Sequence, residues 1–283
     1  MSEQSRVLRK GKRVTVGTIA ETWRRAARPP MLHQSPSVSP GVPQSRDAAP
    51  LRKHPVIVRY CEPREDAVLH TRLTLLAVDT AALDACISYI EQEIGPALER
   101  RPGSLGISVL EDRERGVAIF GSVWATSGEM NGSENTEAPL RAELAGRAGG
   151  PLTVEEYQVP VFELVEQLAL PQRGLAAQLT RIQVKPSQVD DAIEVVGDYA
   201  VPSLVQAPGF CDALLFADGS SGRLISETIW RDPRARRAAP SVATIVRTEM
   251  PDAEVPDEVT GDTSAKIRDV EDYTLVFSTV REP

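Results

Sequence analysis

The sequence predicts an α+β protein made of two tandem copies of one small β-α-β-β-α-β unit, packed face to face inside one chain behind a disordered amino-terminal tail. Three observations predict it. The first is a repeat. Shifted by 106 positions, residues 73–124 meet thirteen identities without a gap, from Leu73-Thr74 on Leu179-Thr180 to Trp124 on Trp230. Average residue usage gives roughly three or four by chance. The register then breaks and resumes at an offset of 116, with Val154-Glu155 on Val270-Glu271 and Tyr157 on Tyr273, so the second copy carries a ten-residue insertion. The second observation is that each copy alternates strand-sized and helix-sized apolar patterns in the same order. The third is a sharp change of composition near residue 55.

That change delimits the tail, residues 1–55. It is rich in Pro, Ser and Arg, and residues 1–53 hold eleven Lys and Arg against three Asp and Glu, a net of +8. Such a stretch buries too little apolar area to offset its ordering entropy. A short helix at 18–27 around Trp23 is the exception. Four readings of the tail compete: a solvated extension, an over-extended start with Met31 as the true one, an arm for acidic partners or for the acidic body, and an Arg-rich transit peptide. Its removal is expected to leave folding intact.

The rest of the chain is acidic. The whole carries −8, so residues 54–283 carry −16. That charge repels a phosphate backbone and argues against nucleic acid as a partner. No apolar run approaches the ~20 residues of a membrane span. Cys61, Cys86 and Cys211 are odd in number, far apart and without a CxxC pair. A thiolate metal site and a disulfide framework are therefore not expected, and a reducing, cytoplasmic setting fits.

Repeat A covers 56–166. The run 56–60 is a short edge-strand candidate. Leu73–Val78 is the first core strand. Asp79 or Thr80 caps a helix over 81–100, with Leu83, Ile87, Ile90, Ile94 and Leu98 at helical spacing and Pro96 kinking its last turn. Pro102-Gly103 stops it. Leu105–Leu110 and Val117–Trp124 form a hairpin around the polar turn 111–116. A looser helix over 136–145 and a last strand over 154–162 follow. A linker, 167–177, leads to repeat B, 178–283. There the strands are 179–184, 210–217, 223–230 and 270–280, and the first helix is 187–206. Asp232 caps a second helix with Pro233 at its first position. Pro240 breaks that helix, Ser241 restarts it, and the acidic stretch 251–265 absorbs the insertion.

The order in each copy is the split βαβ arrangement of ferredoxin-like folds. Two helices cover one face of such a sheet, and the open apolar face needs a partner. Two copies in one chain can satisfy each other as a barrel. In the first strand one face is matched between copies: Thr74, Leu76 and Val78 against Thr180, Ile182 and Val184. The other face reads Leu73, Leu75, Ala77 in copy A and Leu179, Arg181, Gln183 in copy B. If this second face lines the barrel, copy B supplies its polar groups.

In both copies a helix ends in Pro-Gly, at Arg101-Pro102-Gly103-Ser104 and Ala207-Pro208-Gly209-Phe210. The second strand after it ends in Trp, at Gly121-Ser122-Val123-Trp124 and Ser226-Glu227-Thr228-Ile229-Trp230. This resembles the antibiotic biosynthesis monooxygenase domain of the dimeric α+β barrel superfamily, in tandem form, over most of 70–282. The resemblance implies a barrel and a range of roles, from cofactor-free oxygenases of aromatic polyketides through haem-degrading enzymes to ligand-binding proteins. Many members carry a histidine in the helix after the Trp. Neither 125–149 nor 231–250 contains one, and His33, His54 and His70 all precede the first repeat strand. An axial haem ligand and a histidine-based catalytic triad are thus missing.

Candidate site residues follow from pattern. Trp124 and Trp230 can stack on an aromatic ligand, or plug each sheet against its second helix. Tyr157 and Tyr273 can orient a phenol, or pack the sheet with wet hydroxyls. Arg181 can stabilise an enolate or phenolate if it faces inward. Asp212 is its expected acceptor and Gln183 a neighbouring amide. Arg231, Arg234, Arg236 and Arg237 form either an anion site or a solvated helix face. The expected function is a barrel that binds a small hydrophobic or aromatic ligand between its sheets, working as a cofactor-independent monooxygenase with Arg181, Trp124 and Trp230 as its catalytic residues and no metal. The alternative is a non-catalytic pseudo-dimeric barrel for a ligand or a protein partner. A degenerate haem binder is a third reading. The expected state is a monomeric pseudo-dimer or a weak homo-oligomer.

Overall fold

The computed structural model describes residues 68–164, 172–250 and 266–282, all within one compact unit, His54–Pro283. The tail, the 18–27 helix, the 56–60 strand and the acidic stretch 251–265 lie outside the described residues.

Among these residues the order β-α-β-β-α-β runs twice. The strands are β1 (Leu69–Ala77), β2 (Ser104–Asp112), β3 (Val117–Trp124) and β4 (Thr153–Leu164), then β5 (Leu175–Gln183), β6 (Phe210–Asp218), β7 (Arg223–Trp230) and β8 (Lys266–Ser278). Their lateral order, β1-β3-β2-β8-β5-β7-β6-β4, closes into an antiparallel barrel. Each half contributes four adjacent strands. The seams are β2 with β8 and β4 with β6. Among the described strands closure leaves no edge for a foreign chain to pair with.

Strand alternation then sorts the apolar residues into three cores. Leu73, Leu110, Ile119, Leu179, Leu214, Phe216, Ile225 and Leu275 fill the barrel. Leu76, Val109, Phe120 and Trp124 face the helices of the first half. Ile182, Leu215, Leu224 and Trp230 face those of the second. The turns that hold the hairpins depend on Gly116 and Gly222, at φ +64° and +72°. A Cβ on Gly222 would meet the Val184 carbonyl oxygen at 2.0 Å.

The first helix of each half is interrupted at a matched place. In the first half α1 (Thr80–Tyr89) starts where the Asp79 carboxylate accepts the Ala81 N–H. It widens into a π turn at Ile90–Ile94 before α2 (Gly95–Glu99). Later in the first half α3 (Ser127–Gly132) and α4 (Glu134–Ala148) cover the sheet, and the second half repeats the interruption. Then α5 (Val189–Val195) widens at Val196–Ala200 before α6 (Val201–Val205). Pro96 and Pro202 follow the widened turns by two residues. A proline has no N–H to give and its ring pushes on the carbonyl a turn behind, which an extra residue relieves. The expected kink is thus a π turn.

Two further expectations shift. β1 and β5 begin four residues earlier than alternation predicts, at Leu69 and Leu175, so β5 starts inside the stretch read as linker. The polar residues there fit because the fold supplies partners. Thr71 donates to the Ser122 carbonyl at 3.0 Å, and Arg72 is buried among carboxylates. The second helix of the first half is two helices, α3 and α4, rather than the single one expected over 136–145.

Candidate functional site

The residues singled out by pattern separate into three places. At one end of the barrel, Arg181 lies between Glu271, at 3.2 Å, and Glu155, at 3.8 Å, with 23% of its side chain exposed. Arg115 bonds Glu271 at 3.0 Å and Arg223 approaches Glu155 at 3.5 Å. The Tyr157 hydroxyl donates to Glu155 at 3.0 Å. Burial pushes both phenols up, Tyr273 to about 12. Arg181, Tyr157 and Tyr273 therefore do come together, as an ion-paired lid on the barrel.

Asp212 is not the partner of Arg181. Register pairs Asp212 with Ile229 and Arg181 with Ile225, four residues apart along β7. At ~3.3 Å per residue that is roughly 13 Å. Asp212 instead shares the interior with Glu227, which lies opposite its neighbour Leu214. Burial, then the charge of Glu227, raises the Asp212 carboxyl well above its usual range, and burial pushes Glu227 up to about 7. The interior around them leaves about 30 Å³, about one water's worth of space. With the side chains as they stand, that volume holds no aromatic ring. Gln183 is also spent on structure, since its amide donates to the carbonyls of Val184 and Ser221 and ties down the β6–β7 turn.

The two tryptophans mark the third place, the outer face of each half under its second helical layer. Both indoles are buried and each donates to a hydroxyl two residues earlier, Trp124 to Ser122 at 3.0 Å and Trp230 to Thr228 at 3.1 Å. They are plugs, but what lies beside them differs. In the first half the space is filled by ions. Arg72 pairs with Glu137 and bonds Glu156 at 2.8 Å. Glu137, fully buried, accepts from Ser122 at 3.2 Å and from Arg141 at 3.1 Å. Each charge is answered, as burial of charge requires.

In the second half Gln178 stands at the position of Arg72, and its amide donates to Asp272 at 3.1 Å. The covering helix is broken here into α7 (Pro233–Ala238) and α8 (Val242–Glu249). Asp232 caps α7 by accepting from Arg234 and Ala235. Pro240 has no N–H to continue the helix. The break leaves a recess of about 270 Å³ against Trp230. Gln178, Thr228, Arg236, Arg237 and Ser241 supply its polar wall, and Leu204, Val242 and Val270 its apolar one. Arg236 is held by Asp272 at 2.7 Å. Of the basic cluster in the sequence, Arg236 and Arg237 therefore line a concave site. Gln178 and Thr228 escaped sequence reading, because nothing in a strand pattern says that its helix-facing side will be left uncovered.

A closed eight-stranded antiparallel barrel with helices on its outer faces is a fold this chain shares with solved structures. A provisionally assigned monooxygenase of Lactobacillus acidophilus NCFM has this fold, with a TM-score of 0.55 at 13% identity over 74% of this chain and 94% of that one. An anthrone oxidase-like protein matches with a TM-score of 0.51 at 18% identity, over 76% and 93%. At these identities the shared property is the fold. No protein-family model matches the chain. By sequence, uncharacterized protein Rv2557 of Mycobacterium tuberculosis is 30% identical over 163 residues, 58% of this chain and 71% of that protein. The chain belongs to the family of Rv2557. No helix among the described residues is long and apolar enough to cross a membrane.

Proposed function

We propose that this chain is an internally duplicated barrel, with copies at 56–166 and 178–283, that binds one small, flat, anionic aromatic molecule in the recess beside Trp230 and oxygenates it without a cofactor. The observation that carries the reading is the asymmetry between halves. The space filled by Arg72 and Glu137 in one is a 270 Å³ recess in the other. An aromatic ring can lie along Val242, Leu204 and the indole edge. Arg237 and Arg236 can receive a phenolate or enolate oxygen, and the fork geometry of guanidinium favours such an anion. Stabilising the anion makes the ligand electron-rich. An activated CH₂ of such a ligand can then reduce O₂ with its own electrons, giving C=O and one water, so that atoms and electrons balance without a metal or flavin. The protein's part is to hold the anion and exclude bulk water.

An anthrone is the probe. Oxygen uptake with anthrone should follow saturation, and Arg237→Gln should lower it at least tenfold. A second reading, a non-catalytic binding module, has one observation in its favour: among the described residues no carboxylate or histidine lines the recess to take the proton. Quenching of tryptophan fluorescence by anthrone without oxygen uptake selects that reading. Neither quenching nor uptake removes the recess as a site.

A further inference from the structure

We propose that the barrel interior holds one calcium-sized divalent cation between Asp212 and Glu227. The cavity there is small, about 30 Å³, and among the described residues its lining carries three acids, Glu163, Asp212 and Glu227, with neutral polar groups and no Lys, Arg or His. Asp212 and Glu227 project into it from adjacent strands with 8% and 6% exposure. Two oxygens around it have no hydrogen-bond partner among the described residues, Asp212 Oδ1 and Gln172 Oε1. Gln172 is 6% exposed and comes from a different part of the chain, bridged to Ser278. A buried acceptor without a donor is costly, and a cluster of them is answered by a cation.

The position is also specific to the second half. By the 106-residue offset, Asp212 corresponds to Gly106 and Glu227 to Gly121. Gly106 sits at φ +127°, where a Cβ would meet the backbone of Thr279 and of Val280, the latter a lining residue of the cavity. Thus the second half brings two carboxylates, Asp212 and Glu227, where the first half has glycines, and the one acid the first half adds to the lining is Glu163 on β4. The further side-chain oxygens within the lining are those of Glu163 and of the hydroxyls Thr71, Ser108 and Ser278. An all-oxygen set selects a hard cation, and two carboxylates balance a double charge. Magnesium keeps several waters in a strict octahedron, for which this volume has no room, whereas calcium accepts irregular protein oxygens. Among the described residues no three carboxylate, His or Cys groups converge as a metal cluster. The site is therefore a two-carboxylate one, completed by the Gln172 amide and hydroxyl oxygens.

The test uses the full chain, freed of metal with a chelator and dialysed at pH 8 and constant ionic strength. CaCl₂ and MgCl₂ are added separately, with calorimetry and thermal unfolding as readouts. The expected result is one Ca²⁺ bound per chain and a rise in midpoint of about 3 °C or more at saturation, with MgCl₂ giving little. Asp212→Asn and Glu227→Gln should each abolish the rise, while Glu155→Gln at the other end of the barrel should keep it. Absence of saturable Ca²⁺ binding to the unaltered chain overturns the proposal, whatever the variants do. So does an equal rise with both cations, or a rise that persists in both interior variants.

Discussion

The buried Arg72–Glu137 pair allows the asymmetry between halves to be tested as an energy. Arg72→Gln installs in the first half the residue type that Gln178 supplies in the second. It leaves Glu137, fully buried, with Arg141 at 3.1 Å and the Ser122 hydroxyl at 3.2 Å. Breaking a buried pair by removing one partner costs about 3–5 kcal/mol. Because Arg141 remains, the lower end applies, about 3 kcal/mol. For a body of this size that is a fall in midpoint of roughly 6–12 °C. The double variant Arg72→Gln/Glu137→Gln removes both charges and should recover at least half of the loss, since replacing a whole buried pair is often nearly neutral. Urea unfolding followed by tryptophan fluorescence and circular dichroism measures all three chains. The loss should change little with added salt, because the pair is shielded from solvent ions. An Arg72→Gln loss under 1 kcal/mol, or a double variant no better than the single one, would refute the view that these ions hold the first half shut.

Three further outcomes are expected. Arg181→Leu leaves Glu155 and Glu271 facing each other half-buried, which should cost about 1–2 kcal/mol without altering binding in the recess, as urea unfolding and anthrone quenching will show. Gly222→Ala forces a Cβ toward the Val184 carbonyl at positive φ and should destabilise by at least about 2 kcal/mol, read from the urea midpoint. The Asp218 carboxyl is held well below its ordinary value, first by the Ser220 and Ser221 hydroxyls. A folded pKa below the unfolded one means stability that is present above about pH 4 and is lost as pH falls through the folded value. Asp218→Asn should therefore flatten the acid limb of the stability curve, and an unchanged limb counts against this turn as its source.

The sequence by itself determined the two matched series of strands and helices, the Pro-Gly stops, the turn glycines and the Asp232 cap. These are local signals, set by backbone permission at Gly and Pro and by periodicity within a few residues. It also placed polar groups of the second half, Arg181 and Gln183 on β5 and Asp212 on β6, on the barrel side. What it left open was which polar groups meet. Asp212 and Arg181 share a face by alternation, yet β-register sets them about four residues apart, and register between strands is a property of the closed sheet. Arg181 found Glu155 and Glu271 because the two last strands, β4 and β8, deliver matched glutamates to one end of the barrel. The recess beside Trp230 was likewise decided only in three dimensions. Gln178 and Arg72 occupy matched strand positions, and only the covering layer distinguishes them: a continuous α4 carrying Glu137 over one, a helix broken at Pro240 over the other. A strand pattern reports which side is apolar. The volume left on that side depends on how the opposite layer packs, and that is settled by the tertiary structure.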